Sequence, residues 1–208
     1  MIKDAPVDPA TGQRVNPFAS YGTPKKGDFL YKDLNGDGVI DDNDKYAVGH
    51  GLAPRLTYGF SLGAEWNGFD FSCLFQGNAG LQVYWQDKFY MGYINYGDVI
   101  NKEIAEGAWR EGRTNATYPR LLTGLNTLNA QPSDFWVQNK SYLRLKNVQI
   151  GYKIPKKLLQ KLDISQLRLY TSLENMLTFT SYKGIDPEIS GTTYPTMKQI
   201  TVGVNVVF

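Results

Sequence analysis

The sequence predicts an all-β fold, an antiparallel segment of a transmembrane β-barrel, and three observations carry that expectation. Apolar and polar residues alternate with period two through runs of about ten or eleven residues, the length a tilted strand needs to cross a bilayer. Two such runs are separated by Asn67-Gly68, a dipeptide that tolerates positive φ at both positions and so closes a two-residue hairpin. The last run, Ile200 to Phe208, is apolar at every second position. A soluble β-sandwich, whose strands also alternate, is the alternative fold.

The elements follow in order. Residues 1–27 are rich in Pro, Gly, Asn and Asp and read as an irregular arm or an extracellular loop; a short strand-like run follows at Phe29, Leu30 and Tyr31, then an acidic loop over 33–44. From 56 to 66, Leu56, Tyr58, Phe60, Leu62, Ala64 and Trp66 share one face, with Thr57, Gly59, Ser61, Gly63 and Glu65 on the other. The return strand sets Phe69, Phe71, Cys73 and Phe75 against Asp70, Ser72 and Gln76. Alternation is lost over 78–140, a long loop with room for a short helix near Val99–Trp109. The next strand, Tyr142 to Ile154, changes phase between Leu145 and Val148, which predicts a bulge. Pro155 to Ser165 is a short connector with one helical turn. A fourth strand carries Leu167, Leu169, Thr171 and Leu173 on its apolar face, a loop spans Thr178 to Thr196, and the final strand occupies 198–208.

The polar faces carry Gly, Ser, Thr, Asn, Gln and charged residues, which suits a barrel lumen, and Tyr58, Trp66, Phe69, Tyr142 and Tyr152 lie near strand ends, where aromatic girdles sit. In a barrel the short connections, at 67–68 and 155–165, fall on the periplasmic side. The long ones, at 33–44, 78–140 and 178–196, fall outside. Complete bacterial barrels have even strand counts of eight or more, so five or six strands are expected to be part of a larger barrel.

Composition narrows the function. The 208 residues carry a net charge of +2, which points to no nucleic-acid or polyacidic partner. No stretch approaches the length of a transmembrane helix. One cysteine and one histidine make a disulfide framework, a Cys/His metal site and a Ser-His-Asp triad improbable. Glu65 and Glu174 face the expected lumen without the defined separation a glycosidase needs, so no enzyme is expected. The first residues hold no apolar signal core, and the chain is expected to reach a membrane as part of a longer precursor.

The acidic loop fits the spacing of a calcium-binding loop, with Asp33, Asn35, Asp37, Gly38 and Asp44 at positions one, three, five, six and twelve. The ligands would be Asp33, Asn35, Asp37, the Val39 carbonyl, Asp41 through water, and Asp44; Ile40 would anchor the loop through its side chain. The other reading is an Asp/Asn/Gly turn held by its own side-chain hydrogen bonds. A soluble or surface-attached calcium-dependent β-sandwich module would use the same residues.

Several segments, in this order and spacing, resemble one family. They are Gly27-Asp28, the run Tyr31 to Asp41, Tyr58-Gly59-Phe60, Gly68-Phe69-Asp70 and Gln76-Gly77. Further on come Trp109, Tyr118-Pro119-Arg120, Ser141 to Asn147, Gly151-Tyr152, Asn175, Asp186-Pro187-Glu188, Tyr194-Pro195 and Phe208. From about residue 24 onward the chain resembles the late barrel of SusC/RagA-type TonB-dependent outer-membrane transporters. That resemblance implies a place as the C-terminal part, 28–208, of a barrel of about twenty-two strands with a plugged lumen. It also implies import of glycans or peptides, energy delivered by TonB through a missing N-terminal region, a SusD-like lipoprotein lid, and contact with outer-membrane lipid. In that setting Trp85, Tyr90, Tyr93, Trp109 and Trp136 are candidates for stacking on sugar rings, with packing of the loop as the alternative. Phe208 resembles the terminal residue that barrel-assembly machinery recognises.

Overall fold

The computed structural model describes residues 24–49, 51, 53–84, 93–94, 100–123, 128–129, 131–160, 163–189 and 194–208. The chain divides into two compact units, Met1–Val48 with Tyr84–Val137, and Gly49–Val83 with Gln138–Phe208.

The second unit is a single antiparallel meander. Its strands are β1 (Leu56–Trp66), β2 (Phe69–Ala79), β3 (Tyr142–Lys153), β4 (Gln166–Thr180) and β5 (Gln199–Val207), hydrogen-bonded in that order. The turn between β1 and β2 has Asn67 at φ 47° and Gly68 at φ 85°, the left-handed pair the hairpin requires. Register aligns the apolar residues into rows across the sheet. One row runs Trp66, Phe69, Tyr152, Leu169, Val204; another runs Leu62, Cys73, Val148, Leu173, Ile200. Much of this face is exposed, with Leu62, Ile200 and Val202 at 58%, 67% and 79%. A sandwich would bury such a face against a second sheet; among the described residues none covers it. No helix among the described residues is long and apolar enough to cross a membrane, which says nothing of crossing by strands.

The phase change in β3 is a bulge. Leu145 pairs with Phe75 and Leu177, while Asn147 pairs with Leu74 and Glu174, leaving Lys146 out of register. The strands are longer than the alternation alone indicates. β4 continues to Thr180 and β2 to Ala79, and a further two-stranded pairing, Gln82–Tyr84 with Val137–Asn139, lies inside the span expected as loop. The connector after β3 contains the expected helical turn, Lys156–Leu159.

On the polar face, an ion pair bridges β2 to β4 over a glycine of β3. Asp70 accepts from Arg168 Nε at 2.8 Å, and a Cβ at Gly151 would lie 2.5 Å from both the Asp70 Oδ2 and the Arg168 Nη2. Gly151 is therefore the saddle the bridge needs. Gly151→Val is expected to push the pair apart and cost about 1–3 kcal/mol, the penalty of stranding poorly solvated partners. The check is the temperature at which the complete protein loses its folded band in heat-modifiability gels, with Gly151→Ala falling between wild type and valine.

In the first unit, helix α1 (Lys102–Gly107) begins where the Asn101 side chain accepts the Glu103 N–H at 2.8 Å, inside the span where a helix is expected. Phe29–Tyr31 does not form a strand. The Phe29 N–H goes to the Asn129 side chain at 2.9 Å, where a ladder would use a backbone carbonyl, and the Tyr31 hydroxyl donates to the Leu128 carbonyl at 2.8 Å. The region expected as one long loop also holds a two-residue parallel pairing, Tyr93–Ile94 with Leu122–Thr123.

Candidate functional site

The acidic loop forms in the first unit and closes on its own amides. Asp33 accepts the N–H groups of Gly36 at 2.6 Å and Gly38 at 2.8 Å; Asp37 accepts that of Val39 at 2.8 Å. Asp44 accepts Leu34 N–H at 2.7 Å and Asp41 N–H at 2.9 Å, joining both ends of the loop. These backbone bonds hold the Asp44 carboxyl below its ordinary value. Gly36 and Gly38 adopt φ 80° and 82°, which only glycine takes without strain. Ile40 is buried with Leu128 and packs with Tyr31, the anchoring expected of it. The donor set is all oxygen, the chemistry that calcium prefers. Among the described residues, however, no three His, Cys, Asp or Glu side chains are gathered as a metal-holding group. The geometry shown is that of the turn held by its own side-chain hydrogen bonds.

The aromatic candidates separate. Trp136 is 1% exposed; its ring meets Phe29 and Phe135, and its Nε1–H donates to the Asn129 carbonyl at 3.3 Å. It offers no face to a ligand and serves as packing. Trp109 is half-buried, with its ring against Gly27, where a Cβ would come within 2.5 Å of Cδ2. Tyr93 contributes its backbone to the short parallel pairing. Trp85 and Tyr90 lie outside the described residues. Phe208 stands just beyond β5 and is 87% exposed, in phase with the apolar face.

The first unit also holds a buried polar cluster. Asp28 accepts from Arg120 Nε and Nη2 at 2.7 and 3.0 Å, from Asn129 Nδ2 at 3.0 Å and from Lys25 N–H at 2.9 Å. Asn129, itself buried, also accepts the Phe29 N–H. Sequence reasoning assigned Asp28, Arg120 and Asn129 no role. The signal that could have found them was that Gly27-Asp28 and Tyr118-Pro119-Arg120 both belong to the family-like segments, although they lie 92 residues apart.

On the sheet, the polar face continues from the Asp70–Arg168 bridge to Gln149, which accepts from Arg168 at 3.2 Å, and to Asn147, which donates to Ser172 at 2.9 Å. Such a face, opposite a continuous apolar one, is what a strand wall between lipid and a water-filled interior presents.

Comparison with known proteins agrees with this architecture. No protein-family model matches the chain. TonB-dependent receptors P3 and P39 of Formosa agariphila are 31% and 32% identical to it over 203 residues, covering 90% and 88% of the chain. TonB-dependent receptor SusC of Bacteroides thetaiotaomicron is 27% identical over 192 residues. Among solved structures, that of the RagAB peptide transporter superposes with a TM-score of 0.65 at 29% identity, covering 81% of this chain and 19% of that one. The chain spans about one fifth of the first curated relatives, 20% of P3 and 19% of P39. Similarity across most of the chain, with a shared sheet architecture, identifies it as a segment of a SusC/RagA-type TonB-dependent receptor.

Proposed function

We propose that this chain supplies wall strands and outer loops of a TonB-dependent outer-membrane importer of glycans or peptides that works with a SusD-like lipoprotein lid. The observation that carries the reading is the five-stranded meander with one exposed apolar face and one polar, ion-paired face. β1 and β5 each pair on one side only among the described residues, and open edges are not stable in lipid, so each needs a further barrel strand. RagAB, the structural neighbour, is a peptide transporter, which supports the peptide alternative; uptake decides between the two cargoes for this chain. Cells bearing the complete transporter are expected to accumulate either fluorescent oligosaccharides or fluorescent peptides, and to stop when the proton gradient is collapsed. Accumulation of neither, with the protein present in the outer membrane, would contradict the reading.

The acidic loop is proposed to take Ca2+ through Asp33, Asn35, Asp37, the Val39 carbonyl, Asp41 and Asp44. The supporting facts are the ligand spacing, the all-oxygen donors and the anchored Ile40. Outside the cell a dissociation constant of about 0.1–1 mM would suffice for filling. Terbium luminescence sensitised by nearby aromatics in the complete protein is expected to saturate and to be displaced by Ca2+. The Asp33→Ala/Asp37→Ala variant should lose the signal; equal luminescence in that variant would place the metal elsewhere.

A further inference from the structure

The bulge in β3 does more than restore phase. Without it, Lys146 and Asn147 would point to opposite faces; with it, both serve the polar side. Asn147 reaches Ser172 on β4, and Lys146 Nζ reaches Glu188 Oε2 at 2.7 Å. Arg144, 4% exposed, uses its whole guanidinium in the same place. It donates to Thr178 Oγ1 at 2.8 Å, to Asp186 Oδ1 at 2.8 Å and to Glu188 Oε2 at 2.7 Å. The buried Lys140 donates to the Ile189 carbonyl. Asp186 in turn accepts the Glu188 N–H at 2.8 Å and the Thr196 N–H at 3.1 Å. Burial works against its charge, yet these N–H bonds and Arg144 hold its carboxyl below the ordinary value. Opposite the bulge, Asn175 sits at φ 54° and donates from Nδ2 to the Met197 carbonyl at 3.0 Å.

We propose that this bulge is a fastening point that sets the conformation of segments 182–189 and 194–197, with Arg144 as its central positioning residue. Ties from the two segments meet Arg144 and Lys146 beside the bulge and Asn175 opposite it, with Lys140 holding Ile189 from just before β3; Arg144, Asp186 and Lys140 are buried. A buried pair adds little net stability when intact, but losing one partner strands the other charge at a steep cost, so such pairs specify geometry. Arg144 is buried and also holds Thr178 and Asp186, whereas Lys146 is a quarter exposed and shares the same Glu188 oxygen, so Lys146 is the lesser tie and Arg144 the greater. The role within a transport cycle rests on the importer reading above; the fastening does not.

Hydrogen exchange in the complete transporter tests it. Arg144→Gln is expected to speed exchange in 182–189 and 194–197 by about tenfold or more, while amides of β4 between 167 and 173 stay protected. Lys146→Met should give a smaller rise in the same segments. Arg144→Lys, which keeps the charge and loses the fork, should fall between wild type and Arg144→Gln. If Arg144→Gln does not assemble, Glu188→Gln, whose side chain is partly solvated, reads the same tie. Unchanged exchange in the two segments, or an equal rise in β4, would overturn the proposal. Unchanged uptake alongside accelerated exchange would leave the fastening standing and count only against a part in transport.

Discussion

Asp28→Ala is expected to cost about 3 kcal/mol, the low end of what losing one partner of a buried ion pair costs. The Asp28 side chain is 2% exposed while Arg120 keeps 23%, so water recovers part of the stranded guanidinium. Four donors lose their acceptor at once, from Lys25, Arg120 and Asn129. Limited proteolysis of the complete protein should then cut near residues 24–31 and 118–123, where wild type resists. The pair also makes this unit acid-sensitive. Burial opposes the Asp28 charge, but the bonds from Arg120, Lys25 and Asn129, together with the Arg120 charge, leave its carboxyl below the ordinary 3.8. A lowered folded value means the stabilisation is complete above 3.8 and fades as pH falls through the folded value. Asp28→Asn, which keeps the shape, should lose that acid dependence.

Trp136→Ala is the second large effect, about 3–5 kcal/mol for a fully enclosed aromatic side chain. The substitution removes the ring packed on Phe29 and Phe135 and leaves the Asn129 carbonyl without its indole donor. Trp136→Phe keeps part of the packing and loses the donor, so its cost should fall below that of alanine, at about 2–3 kcal/mol. Denaturant unfolding followed by exchange of residues 128–129 and 134–139 measures both. A Trp136→Ala protein as protected as wild type would mean that the indole is not the keystone its burial indicates.

These two residues mark where sequence reading stopped. The sheet is local in origin: alternation sets each strand's face, Asn67-Gly68 sets a turn, and the slip between Leu145 and Val148 announces the bulge, so all were legible. The first unit is assembled by contacts between residues far apart in sequence, polar and aromatic alike, and no periodicity links Asp28 to Arg120 or Phe29 to Asn129 and Trp136. Phe29–Tyr31 reads as a strand because its residues favour one, yet side-chain and irregular backbone acceptors take its polar groups. Trp136 reads as a sugar-stacking candidate because composition cannot tell an enclosed aromatic from a displayed one. The acidic loop's spacing is legible, but spacing leaves open whether carboxylates turn toward a cation or toward their own amides.

The central claim is that the sheet stands between lipid and a water-filled interior. Spin labels placed one at a time along β1 and β5 of the complete transporter in native outer membrane test it through collision with oxygen, which partitions into lipid, and with a water-soluble nickel chelate. Labels at Leu56, Leu62, Ile200, Val202 and Val204 should favour oxygen, and labels at Ser61, Gly63, Thr201 and Gly203 the chelate, alternating at every step. Equal chelate access on both faces would contradict a membrane wall and return the chain to a soluble β module.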